Sequence, residues 1–98
     1  MGTRTDFDQL VEQLETVFDD AVVSGTDDEL FACGYLRGHF DLVVAQLEMA
    51  GETQPEKIMP ALRDAVHKTR HELSPADQAH INNVLDKLAL KATNGDAA

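Results

Sequence analysis

Apolar side chains recur three and four residues apart along most of this chain, which is the spacing of one face of an α-helix. Turn residues divide the pattern into four segments, which predict helices at about residues 6–23, 27–50, 55–72 and 75–92. No segment alternates apolar and polar residues between hairpin turns, so no sheet is expected. Linkers of two to five residues make consecutive helices antiparallel. The predicted fold is therefore an all-α, four-helix antiparallel bundle.

Several residues mark the ends of these helices. Thr5 can act as the N-cap of the first helix, and Thr26 with Glu29 three residues later forms a capping-box signature for the second. Gly51 suits the C-terminal end of the second helix. Ser74, directly before a proline, is a strong N-cap for the fourth helix.

Pro60 conflicts with an uninterrupted third helix, because an interior proline removes a hydrogen-bond donor and clashes with the preceding turn. Two alternatives follow. Either the helix over residues 55–72 kinks at Pro60, or a short turn precedes a helix that begins near Met59.

The length of 98 residues fits one helical domain, predicted over residues 1–92. The small and polar stretch 93–98 predicts a disordered C-terminal tail. The chain shows no secretory signal and no apolar run near the roughly 20 residues needed to span a bilayer. Its single cysteine, Cys33, excludes an internal disulfide framework. We therefore expect a cytoplasmic protein without a membrane partner.

The net charge of −10 is unevenly distributed. Residues 1–56 hold 13 of the 18 acidic residues against only Arg4 and Arg37, whereas residues 57–98 are close to neutral. An acidic surface repels phosphate backbones, so a nucleic-acid partner is not expected. The charge is typical of a solvated acidic surface, and it also favours encounter with basic partners.

The second predicted helix carries two apolar stripes, whereas each of the others carries one. The first stripe consists of Cys33, Leu36, Phe40, Val43, Val44 and Leu47, and the second of Phe31, Tyr35, Leu42 and Met49. A helix that is apolar nearly all round is usually buried. The second helix is therefore either the central helix of the bundle or has one face available to a partner.

Gly34 and Gly38 lie four residues apart beside the second stripe. Each costs about 1 kcal/mol relative to alanine in a helix interior, so the pair calls for an explanation. The favoured one is close packing of a neighbouring helix of the same chain. A groove for a partner or a second copy, and a ligand site, are the alternatives.

Candidate catalytic and metal-binding residues give weaker signals. His67 and His71 have the four-residue spacing of two metal ligands on a helix, but they share a polar face with cations that oppose a metal. Cys33 falls on an apolar stripe and is expected to be a core residue. His39 as a general base would need a positioned partner and a cleft. We predict no catalytic residue, no metal site and no cofactor.

Two runs of residues resemble the YfcL-like family of small bacterial proteins of unknown function. The first is Asp27-Asp28-Glu29-Leu30-Phe31-Ala32 followed by Gly34-Tyr35-Leu36-Arg37-Gly38-His39, and the second is Leu73-Ser74-Pro75 with Asp77-Gln78. This chain has Cys33 where the family is associated with serine. The resemblance implies a small all-helical cytoplasmic protein and draws attention to residues 27–39, without implying an activity.

We interpret the chain as a non-enzymatic protein–protein interaction module that uses one face of its second helix. The expected contact residues are Phe31, Tyr35, Arg37, His39 and Leu42, and the expected partner is another protein or a second copy. The alternative is a small-ligand or metal-binding protein that uses His39, Cys33, or His67 with His71.

Overall fold

The chain forms a bundle of four α-helices in a computed structural model, which describes the backbone of residues 6–97 and the side chains of residues 6–93. The α-helices are α1 (Asp6–Ser24), α2 (Asp27–Met49), α3 (Ile58–Thr69) and α4 (Pro75–Ala97), with 3-10 turns at Pro55–Lys57 and Arg70–Glu72. The described residues contain no strand. The predicted all-α, four-helix bundle is confirmed.

The predicted start signals of α2 and α4 form the expected hydrogen bonds. The Glu29 amide donates to the Thr26 hydroxyl (3.2 Å), and the Thr26 amide donates to the Glu29 carboxylate (3.4 Å), which completes the capping box. The Asp77 amide donates to the Ser74 hydroxyl (3.2 Å) at the start of α4. The predicted cap Thr5 lies outside the described residues.

Helix α2 ends in a Schellman motif built on Gly51. This glycine has φ of +72°, a left-handed conformation that residues with a Cβ atom adopt only with strain. Its amide donates to the carbonyl of Glu48 (3.1 Å), and the Glu52 amide donates to the carbonyl of Leu47 (2.8 Å). The role predicted for Gly51 is therefore confirmed.

Pro60 is accommodated by the second of the two predicted alternatives. A 3-10 turn precedes α3, and Pro60 is the third residue of the helix, where an amide has no partner within the helix. The regular part of α3 ends at Thr69, and a second 3-10 turn continues to Glu72. Helix α4 extends five residues beyond its predicted end at residue 92. The disorder predicted for residues 93–98 stays a prediction.

All four helices contribute to one hydrophobic core, and the inward stripe predicted for each is confirmed. The largest fully buried side chains are Phe7, Leu14, Phe18, Leu36, Phe40, Ile58, Leu62, Ile81, Val84 and Leu88. The rings of Phe18 and Phe40 meet edge to face, with centroids 5.5 Å apart, and so join α1 to α2. Burial of each such side chain contributes about 1.5–3 kcal/mol.

Helix α2 packs against α1, α3 and α4, and its most extensive contact is with α4. Helix α1 also packs along α4. None of the described helices is long and apolar enough to cross a membrane. Although α2 contacts every other helix, one of its faces remains open, and this face carries the second apolar stripe.

Candidate interaction surface on helix α2

A row of six residues follows the open face of α2, and we call it the outer seam. It consists of Phe31, Tyr35, Gly38, Leu42, Ala45 and Met49. The steps between them alternate between four and three residues, which is the spacing by which one helix meets another in a coiled coil. The exposed fractions of Phe31, Leu42 and Met49 are 44%, 56% and 88%. The seam is therefore an apolar helix face that the described chain leaves exposed, except at half-buried Tyr35.

Aromatic rings line the first half of this face. The ring centroids of Phe31 and Tyr35 are 6.4 Å apart, and those of Tyr35 and His39 are 4.8 Å apart. Three of the five predicted contact residues thus lie side by side. Leu42 lies one helical turn beyond Gly38 on the same face.

The Tyr35 hydroxyl ties α2 to the end of α3. It lies 2.5 Å from the hydroxyl of Thr69, which in turn donates to the carbonyl of Val66 (3.3 Å). Since a hydroxyl has one hydrogen, Tyr35 is the donor to Thr69. Tyr35 is consequently half-buried and fixed in position, with part of its ring left at the surface.

Arg37 lies apart from the other predicted contact residues. Its guanidinium is 3.6 Å from the carboxylate of Asp19, on α1, and both side chains are largely exposed. Such an exposed pair contributes roughly 0–1 kcal/mol. Arg37 therefore borders the α1 side of the surface, whereas Tyr35 and His39 border the α3 side.

The predicted close packing at Gly34 and Gly38 within the chain is wrong. Both glycines are exposed, and a Cβ atom added to either would meet nothing within 4 Å among the described residues. The i, i+4 spacing correctly places them on one edge of the helix, but that edge faces outward. A spacing pattern gives the relation between two residues, not the direction in which their shared edge faces.

Three further apolar residues, near the α1–α2 linker, are exposed, and their exposure was not predicted from the sequence. Val22 and Val23 end α1, and Leu30 lies in the first turns of α2. The sequence did contain a signal for the two valines. They lie beyond the buried stripe of α1, which ends at Ala21, so their exposure could have been predicted. They add apolar area at the end of the molecule where α2 begins.

Two acidic residues at the start of α2 contact α4. The Glu29 carboxylate accepts a hydrogen bond from the Lys87 ammonium at 2.9 Å, and Asp28 lies 3.5 Å from the imidazole of His80. The Lys87 hydrogen bond, followed by that of the Thr26 amide, lowers the pKa of Glu29 below its ordinary value. Glu29 therefore stays ionised and joins α2 to α4.

The residues considered for metal or thiol chemistry lie apart. Cys33 is buried in the core as predicted, and burial, followed by the charge of Glu29, raises the pKa of its thiol. A raised pKa disfavours the thiolate that a nucleophile requires. His67 and His71 are exposed on α3 and the turn after it. Among the described residues, no three His, Cys, Asp or Glu side chains are grouped as a metal site.

These features define a small acidic four-helix protein whose second helix presents an apolar seam. A family model described as YfcL protein matches residues 8–90, so the chain belongs to the YfcL family. Over 79 residues it is 35% identical to "Uncharacterized protein YfcL" from Escherichia coli (strain K12), and this alignment covers 79% of this chain and 86% of the relative. No solved structure matches the chain. The predicted resemblance to the YfcL-like family is confirmed.

Proposed function

We propose that this protein is a non-enzymatic interaction module whose outer seam binds an amphipathic helix of another protein. The partner helix would carry Lys or Arg beside its apolar stripe. The observation that carries the proposal is the row of exposed apolar side chains at coiled-coil spacing along α2. A helix laid in an apolar groove is a recurring mode of peptide recognition.

The shape of the seam supports a helical partner. Large side chains at Tyr35, Leu42 and Met49 alternate with the small residues Gly38 and Ala45. Side chains of a facing helix can enter the space above the small residues, as knobs enter holes in a coiled coil. The open space beside Gly34 and Gly38 supports the same interpretation, because a helix there would meet bare backbone.

The charge around the seam favours a basic partner over a second copy. Asp27, Asp41 and Glu48 are exposed acids on α2 close to the seam. Residues 1–56 as a whole sum to −11, so two copies facing each other through α2 would repel. Lys or Arg beside the stripe of a partner helix would instead be attracted, with an association rate that falls as salt rises.

A photo-crosslinking amino acid placed at Leu42 tests the proposal in the native host. Leu90 provides a matched control, because it is an exposed leucine on α4. We expect a discrete crosslink from position 42 and not from position 90. Mass spectrometry should map it to an amphipathic helix of another protein that carries Lys or Arg beside its apolar stripe. A crosslink to a second copy, or equal crosslinking from the two positions, would overturn the proposal.

Binding to the partner identified in this way can then be measured with purified proteins. Leu42→Asp should weaken binding at least about tenfold. It places a charge at a position that the partner would bury, and burial of a leucine contributes about 1.5–3 kcal/mol. Leu90→Asp adds the same charge away from the seam and should leave the dissociation constant nearly unchanged. Equal losses in the two variants would mean that net charge, and not the seam, governs binding.

A further inference from the structure

A cleft of about 260 Å³ opens between α3, with the 3-10 turn that follows it, and α4. Its apolar wall consists of Leu73, which is partly exposed, and of Val66, Ile81 and Leu85, which belong to the core and are almost fully buried. Its polar wall includes Arg63, His67 and Arg70. Arg63 and His67 lie four residues apart on α3 and leave the same side of that helix, and Arg70 begins the 3-10 turn that follows.

The charge of this cleft is opposite to that of the molecule. The chain has 18 acidic residues against 8 lysines and arginines. Even so, none of the described residues that line the cleft is acidic, and two of them are arginines. A local concentration of positive charge over an apolar wall attracts small anions, whereas the rest of the acidic surface repels them.

The arginines have donor groups available for such an anion. Arg63 is 3.6 Å from Asp86, in a pair whose side chains are both largely exposed and therefore weakly held. One terminal nitrogen of Arg70 donates to the carbonyl of His67 (2.6 Å), which occupies one of its five N–H donors and orients the rest of the guanidinium.

Hydrogen bonds across the cleft fix its shape. The Gln78 side-chain amide, on α4, donates to the carbonyls of Arg70 (3.0 Å) and Leu73 (3.1 Å). These bonds hold the 3-10 turn against α4, so the backbone that carries Arg70 is already in place. Asn82, also on α4, adds a further side-chain amide to the wall.

We propose that this cleft binds a small organic oxyanion, with a carboxylate or phosphate head held by Arg63 and Arg70 and an apolar body against Leu73, the partly exposed apolar residue of the lining. The planar guanidinium matches the geometry of two oxygens on one carboxylate or phosphate. The volume lies just below the roughly 300–1,000 Å³ typical of drug-sized ligands, which selects a small molecule. The site lies on α3 and α4 and does not depend on the outer seam.

An NMR titration of the full chain in about 0.15 M salt tests the site with defined probes. Phenyl phosphate and benzoate supply the two oxyanion heads on an apolar ring, and benzyl alcohol is the neutral control. We expect saturable shifts of the amides in residues 63–70 and 78–85 with at least one anion, and at least about tenfold weaker binding of benzyl alcohol. The preferred anion identifies the head group.

Matched variants test whether the anion is bound by the arginines of the cleft or simply attracted by positive charge on α3. Arg70→Gln should weaken anion binding at least about tenfold. Arg63→Gln should also weaken it, because Arg63 is the second arginine that holds the oxyanion head. Lys68→Gln removes the same charge from an exposed lysine on α3 that pairs with Asp64, and it should bind as wild type does. Non-saturable shifts with both anions, equal binding of benzyl alcohol, or equal weakening by Lys68→Gln would overturn the proposal.

Discussion

Tyr35 belongs to both the interior and the surface of the molecule. Its hydroxyl bonds to Thr69 at the end of α3, and its ring lies between Phe31 and His39 on α2. Replacing Tyr35 by alanine would therefore disturb the α2–α3 contact as well as any bound partner. Leu42 is the better position for a binding test, because it is more than half exposed.

Glu29 is a second residue with two structural contacts. Its carboxylate takes part in the capping box with Thr26 at the start of α2 and accepts a hydrogen bond from Lys87 of α4. Both contacts favour the ionised form, which is why its pKa is lowered. Protonation of this one group weakens a helix start and an inter-helix contact together.

The stability of the protein should therefore depend on pH through Glu29. A folded-state pKa below the unfolded value of about 4.3 means that ionised Glu29 stabilises the fold above that pH. This stabilisation is lost as pH falls through the lowered folded pKa. We expect wild type to be more stable than Glu29→Gln near pH 7, and the difference to shrink as the pH is lowered below 4.3. Urea unfolding at several pH values measures it.

Glu56→Gln is the control for this experiment, because Glu56 is an exposed glutamate in a different element, the first 3-10 turn. It removes the same charge away from the contacts of Glu29 with Thr26 and Lys87, so it measures the effect of net charge alone. A difference for Glu29→Gln that stays constant from pH 7 to about pH 3 would contradict the stabilising role of the ionised carboxylate.

At the scale of the element, α2 combines a well-defined start and end with a weakened middle. A capping box begins the helix and a Schellman motif ends it. Between them, Gly34 and Gly38 lie in the helix interior, where each lowers helix stability by about 1 kcal/mol relative to alanine. No described side chain uses the space that these glycines leave open. Stability of the isolated fold therefore does not explain them, whereas a partner that approaches α2 closely would.

Gly34→Ala should stabilise the protein by about 1 kcal/mol, because alanine is the better helix former and its methyl group meets open space. Gly51→Ala is the matched control. Its added methyl group also meets nothing within 4 Å, but Gly51 has φ of +72°, which costs a residue with a Cβ atom about 1–2 kcal/mol. Thermal unfolding should thus move in opposite directions for the two variants. A loss of stability in Gly34→Ala would indicate close packing that the structure does not contain.

At the scale of the whole molecule, apolar periodicity was sufficient to predict the four helices and their inward stripes, because burial of one stripe per helix is what drives folding. It could not decide whether the second stripe of α2 and the edge with Gly34 and Gly38 would be buried within the bundle or left open. Asp19 and Arg37 illustrate the reason, since they are 18 positions apart and are brought together only when α1 packs on α2. The oxyanion cleft likewise requires α3 and α4 to be placed side by side.

Side chains from all four helices meet in one core, so the bundle should unfold as a unit. A domain of this size has a total stability of about 5–15 kcal/mol, and one large core substitution removes a substantial part of it. Phe40 is a suitable position, because its buried ring meets Phe18 across the α1–α2 contact.

Phe40→Ala should destabilise the whole domain by about 3–5 kcal/mol, through lost burial and the cavity left beside Phe18. The chain has one tyrosine and no tryptophan, so intrinsic fluorescence reports on Tyr35 at the α2–α3 contact, while circular dichroism reports on all helices. In urea, both signals should shift to the same lower midpoint, whereas the exposed control Leu90→Ala should change stability by no more than about 0.5 kcal/mol. If the tyrosine signal of Phe40→Ala stays at the wild-type midpoint while the helical signal falls, α2 and α3 unfold separately from α1, and the single-domain prediction is wrong.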